Sequence, residues 1–83
     1  MMSEENTREV VRAFIEPHLH GNALDDHTDI FATGYVNSLF AMQLAMFLER
    51  RLSLRLDAPD MHLDNFRTVD GLVSLVMRKQ ANG

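Results

Sequence analysis

The sequence predicts an all-α fold, a small four-helix bundle of three main helices and one short one, with a long first loop. Three observations carry this reading. Apolar residues recur at helical spacing in three stretches. Each stretch follows a residue able to cap it: Ser3, Asn37 or Thr68. The one alternating, strand-like piece, Ser53-Leu54-Arg55-Leu56, is too short to build a sheet.

In the first helix, Val10, Val11, Phe14 and Ile15 share a face with Leu19 one turn on, and charges lie between them. Ser3 caps its start, and Glu4 and Glu5 suit the positive end of the helix dipole. Pro17 ends or distorts it near Glu16, and His20-Gly21-Asn22 is the stop. About eighteen residues without periodicity follow, which Ile30, Phe31 and Tyr35 are expected to hold down. The second helix begins near Ser38 with Asn37 as N-cap. Leu39 to Leu52 contains neither Gly nor Pro and is rich in Leu, Ala, Met and Gln. Asp57-Ala58-Pro59-Asp60 is a turn. Met61 to Phe66 makes at most a short helix or a turn, with Met61 and Phe66 as core residues against the second helix. Thr68 caps the last helix, which places Val69, Leu72, Val73, Val76 and Met77 on one face and is slightly weakened by Gly71. Without repeats or low-complexity tracts, residues 1–83 read as a single domain with an ordered core of about 4–79.

Composition excludes several functions. Hydrophobic residues make up 46% and charged ones 24%, a globular balance. The net charge of -4 argues against nucleic acid as the main partner. With no cysteine there is neither a disulfide framework nor a thiolate nucleophile. The start of the chain lacks an apolar signal segment, and the longest apolar stretch, Leu39 to Leu48, is too short to span a bilayer. A cytoplasmic protein that contacts no membrane and acts as a monomer is the expectation. The charge is uneven, at -5 over residues 1–29, +2 over 30–56 and -1 over 57–83.

The second helix carries the functional argument. At about 100° per residue from Leu39, Ala41, Leu44, Ala45, Leu48 and Leu52 form a core stripe between about 140° and 240°. The opposite face is centred on Gln43 and Arg50, yet it also holds Leu39, Met46 and, at its edge, Phe47; Phe40 flanks the stripe. Either a small core covers this helix on more than one side, or the surplus is a docking face for a partner. Just ahead of the helix, Gly34 precedes Ser38 by four residues. A hydroxyl at the first helical position is exposed beside unpaired backbone N–H groups, at the dipole end that favours phosphate. No general base stands at catalytic spacing, so Ser38 suits a phosphate-linked group better than nucleophilic catalysis; an ordinary helix-start serine is the other reading.

Phe31, Gly34, Asn37-Ser38-Leu39 and Phe66-Arg67-Thr68-Val69 resemble the acyl carrier proteins, over a stretch from about Val10 to Met77. The resemblance implies an acyl-carrier-protein-like bundle in which Ser38 receives 4′-phosphopantetheine from coenzyme A, with Asn37 and Leu39 beside the arm. It implies a non-enzyme that holds acyl or aminoacyl groups as thioesters. Its partners would be a phosphopantetheinyl transferase, acyl-loading and acyl-modifying enzymes, and an acyltransferase or synthase. The partner-contact residues would be Leu39, Phe40, Gln43, Met46, Phe47 and Arg50. Two features depart from the family pattern. Asn37 replaces the usual Asp, which lies near metal and cofactor during modification. The second helix, normally acidic, has Glu49 as its only acid and ends in Arg50-Arg51, so docking should lean on apolar contact more than on salt-sensitive pairs. Asn37 to Leu44 also looks like the free-standing carriers of polyketide and hybrid pathways that hold unusual extender units, such as hydroxymalonyl, methoxymalonyl or aminomalonyl. A stand-alone aminoacyl or peptidyl carrier, or an unmodified helical adaptor using the Leu39/Met46/Phe47 face, is the alternative. His18, His20 and His27 with Asp25, Asp26 and Asp29 fit no zinc or calcium template, so no metal site is expected.

Overall fold

A computed structural model of the chain describes residues 3–82. Three α-helices, α1 (Glu4–Ile15), α2 (Ser38–Leu52) and α3 (Val69–Asn82), alternate with 3₁₀ turns at Glu16–Leu19, Ala58–Met61 and Leu63–Phe66. The minor fourth element, expected as a short helix or a turn, is a pair of 3₁₀ turns, broken where His62 takes an extended conformation.

Each helix starts where its capping residue directs. Ser3 Oγ accepts from the Asn6 amide at 3.1 Å, and Thr68 Oγ1 accepts from the Gly71 amide at 2.9 Å. Pro17 converts the end of α1 into a 3₁₀ turn, and His20 and Gly21, both at positive φ, then reverse the chain. Helix α2 stops at Ser53 in the left-handed conformation; the amides of Ser53 and Leu54 both reach the Glu49 carbonyl.

Val11, Ile15, Leu44, Leu48, Phe66, Val69, Leu72 and Val76 meet in the core. Leu75 joins them, so α3 is buried over a wider arc than the face read from the sequence. Helix α1 packs most closely on α3, whereas aromatic rings bridge α1 to α2. Two expectations are corrected. Met61 is exposed, because its 3₁₀ turn holds no buried residue, whereas Phe66 in the next turn is buried in the core. Gly71 is a fit and not merely a weakness: a Cβ there would stand 3.2 Å from Thr68 Oγ1 and 3.3 Å from the Asn65 carbonyl oxygen.

The first loop is tied down by more than its apolar residues. Ile30 is buried and Phe31 half-buried as expected, but Tyr35 is exposed and rests its ring on His20 at 5.1 Å. Leu24 and Val36 supply the missing anchors. The Ile30 amide donates to the Arg67 carbonyl at 2.7 Å, and the Asp70 amide to the Asp26 carbonyl at 3.1 Å. That second bond satisfies one of the orphan amides of the first turn of α3.

Candidate functional site

The site is built at the start of α2. Gly34, at φ 82° with open space around it, turns the chain toward the helix. Asn37 takes the extended conformation of an N-cap, and its Oδ1 accepts from the Phe40 amide at 3.1 Å. Val36 and Phe40 are both buried, two residues to either side of Ser38, while Asn37, Ser38 and Leu39 are exposed. The serine is therefore held out in solvent between two core anchors. Among the described residues its hydroxyl forms no hydrogen bond, and the amides of Ser38 and Leu39 find no protein acceptor. Free donors and the positive end of a 15-residue helix converge on this hydroxyl.

The outer face of α2 sorts the residues expected to meet partners. Leu39 is 63% exposed and Met46 56%, and Gln43 and Arg50 are exposed as well. Phe47 is half-buried, with its ring 4.5 Å from that of Phe14. Phe40 is a correction: at 5% exposure it belongs to the core, its ring centroid 5.6 Å from that of Phe14 and 4.7 Å from that of His18, the latter pair T-shaped. Met42, 57% exposed, extends the ridge of Leu39 and Met46 and was not among the expected contacts. Its place at about 300° on the same wheel, well away from the core stripe, was the signal that could have found it.

Beside the aromatic rings that bridge α1 and α2, an open groove of about 650 Å³ runs between the two helices. Phe14 and His18 form one wall, Gln43, Met46 and Phe47 the other, and Arg50 and Arg51 stand at its α2 C-terminal end.

The electrostatics of the remaining chain serve to hold the loop. Arg8 reaches Asp26 at 2.9 Å and Asp70 at 2.6 Å, linking α1, the loop and α3. Arg12 pairs with Asp26 and donates to the Leu24 carbonyl at 2.9 Å; His27 pairs with Asp70. The hydrogen bond from Arg8 holds the Asp70 carboxyl below its ordinary pKa, and in return the Arg8 guanidinium is raised. Arg67 does the same to Asp64, while also reaching Asp29 at 3.2 Å. Lys79 lowers Asp60 and also contacts Asp57. Of the acids near His18, His20 and His27, Asp26 and Asp29 are thus engaged with arginines, while Asp25 Oδ1 accepts from the His27 amide at 2.8 Å. Among the described residues no group of three or more metal-ligating side chains is arranged around a common point, and none of their helices is long and apolar enough to cross a membrane.

No curated protein and no solved structure matches the chain. The family described as phosphopantetheine attachment site matches residues 9–76, which takes in the loop, α2 and most of α3. With an exposed serine at a helix start inside a matched stretch that covers most of the chain, the protein belongs to the phosphopantetheine attachment family, whose members carry 4′-phosphopantetheine covalently on a serine and work as non-catalytic carriers among acyl-processing enzymes.

Proposed function

We propose that Ser38 is the attachment serine and that residues 1–83 act as one cytoplasmic carrier domain. The observation that carries this is the exposure of Ser38 at the first position of α2, fixed between buried Val36 and Phe40. The other serines of the matched stretch are poorly suited. Ser53 closes the far end of α2 in a left-handed conformation, and Ser74 lies within α3, accepting from Arg78 at 2.9 Å. The residues at Ser38 fit the group: its phosphate would meet two unpaired amides and a helix N-terminus, with Asn37 and Leu39 to either side. When bound, the group supplies a terminal thiol on which an acyl or aminoacyl cargo is held as a thioester, a thiol that the cysteine-free chain itself lacks.

The chain's own work is then to hold the arm clear of the bundle, to offer the Leu39, Met42 and Met46 ridge to a transferase and to acyl-loading or acyl-transferring enzymes, and to keep the cargo at high local concentration. The Asn37 to Leu44 string favours a place in polyketide or hybrid polyketide/peptide biosynthesis, with an unusual extender unit as the cargo. Incubation with coenzyme A and a phosphopantetheinyl transferase, followed by intact-mass measurement, tests the proposal. The expected result is a gain of one phosphopantetheine, lost in Ser38→Ala and kept in Ser53→Ala. No gain with several transferases would point instead to an unmodified adaptor that uses the same ridge. The mass of protein taken from its native host would identify the cargo.

A further inference from the structure

The charges of α2 are not distributed as an ordinary surface helix would have them. Its one acid, Glu49, is turned back on the fold: Oε2 accepts from the Leu56 amide at 2.9 Å. Arg50 and Arg51 are exposed, and among the described residues neither lies within ion-pair distance of a carboxylate. Arg8, Arg12, Arg67 and Lys79 are paired, while Arg55 and Arg78 also lack an ion pair among the described residues, but of these arginines Arg50 and Arg51 are the ones that line the groove. Two unpaired cations therefore stand at the end of an apolar groove lined by Phe14 and Phe47. Cations at a helix C-terminus are favourable on their own account, but that does not call for an open apolar trough beside them.

We infer that this groove between α1 and α2 docks an acidic partner surface, an aromatic or long aliphatic side chain entering between Phe14 and Met46 while flanking carboxylates meet Arg50 and Arg51. The inference rests on the carrier reading and names the chemistry of the partner at the face that reading leaves exposed. The groove gives apolar contact area and the two arginines give the sign of charge, so a basic partner surface is rejected by repulsion as much as an acidic one is attracted.

The test uses the full chain, loaded at Ser38 and labelled with ¹⁵N, and two synthetic helical peptides. Both share one Leu/Phe face and differ only in whether their polar positions are Glu or Lys. The acidic peptide is expected to shift the amides of Phe14, Gln43, Phe47 and Arg51 and to bind about tenfold more tightly than the basic one, the effect of two exposed pairs replaced by repulsion. Arg50→Glu combined with Arg51→Glu should reverse the preference; the change of charge at the C-terminus of α2 lowers the melting temperature by several degrees, and a cooperative transition that still lies well above the assay temperature shows that the fold is intact. Equal binding of both peptides, binding of neither, shifts confined to another face, or a preference that survives the reversal would each overturn the inference. So would self-association through the groove in sedimentation, which would make a second copy its occupant. The mass gain on Ser38 is read before any peptide is added, so a failure of the carrier reading is seen separately.

Discussion

The side chain at position 37 can be separated into two roles by substitution. Asn37 Oδ1 accepts from the Phe40 amide at 3.1 Å and so satisfies one of the orphan donors at the start of α2. Loss of such a cap costs about 1 kcal/mol, within a range of roughly 0.5–2. At about 2.1 cal/mol/K per residue, the unfolding entropy of 83 residues is about 0.17 kcal/mol/K. Asn37→Ala should therefore lower the melting temperature by about 6 °C. Asn37→Asp keeps an acceptor in the same place and should melt within about 2 °C of the parent, since the two residues cap equally well. The rate of phosphopantetheine transfer should behave differently: Asn37→Asp adds a negative charge beside Ser38 and should change the rate while leaving stability alone. Thermal unfolding by circular dichroism reads the first effect and an intact-mass time course the second. An alanine variant as stable as the parent would show that the Oδ1 bond does not hold the helix start. Equal transfer rates for Asn and Asp with several transferases would remove the charge at position 37 from the chemistry.

Gly71→Ala should bring none of the roughly 0.5–1 kcal/mol that helix propensity promises, because the new methyl would press on Thr68 Oγ1 at 3.2 Å and the Asn65 carbonyl at 3.3 Å. A rise in melting temperature of several degrees would show that the seam yields. Stability should be level near neutral pH and fall in acid. Asp60, Asp64 and Asp70 are lowered in the fold by Lys79, Arg67 and Arg8 respectively, so their contribution is present above the unfolded carboxyl pKa of about 3.9 and is lost as pH falls through the lower folded values. Urea midpoints measured from pH 7 to pH 2.5 should show the decline beginning below about pH 4, and Asp70→Asn should flatten it. A midpoint independent of pH over that span would contradict the reading.

The three helices were legible because their signals are local. Asn37, Ser3 and Thr68 each act on an amide three residues on, and Ala41, Leu44, Ala45 and Leu48 follow helical spacing. What escaped depends on partners distant in sequence. Phe40 sits at the boundary of the core stripe by angle alone; it is buried because Phe14 and His18 cover it. Tyr35 looked like a loop anchor by residue type, yet Val36, one position on, points inward and leaves Tyr35 against His20. The link of Arg8 to Asp70 spans 62 positions, and no periodicity could announce it. Within the candidate site, Ser38 and its cap could be read directly. The groove could not, since it is lined by Phe14 and His18 from one side and by α2 residues Gln43 to Arg51 from the other, which only the packing of the two helices brings together.

Those same pairings give the net charge its meaning. Asp26, Asp29, Asp60, Asp64 and Asp70 are engaged with Arg8, Arg12, Arg67 and Lys79, so much of the acidity fastens the loop and the start of α3 to the bundle. Glu49 is spent on the Leu56 amide, and the face around the groove is left with positive charge alone. At low ionic strength the total of -4 repels an acidic partner over long distances, while Arg50 and Arg51 attract it on contact. At physiological salt the screening length is about 8 Å, so the long-range repulsion fades while pairs formed at contact persist. The two terms respond to salt in opposite directions. An acidic partner and a weak salt dependence are therefore compatible in this molecule, and the apolar contact of Phe14, Met46 and Phe47 is left to set the affinity.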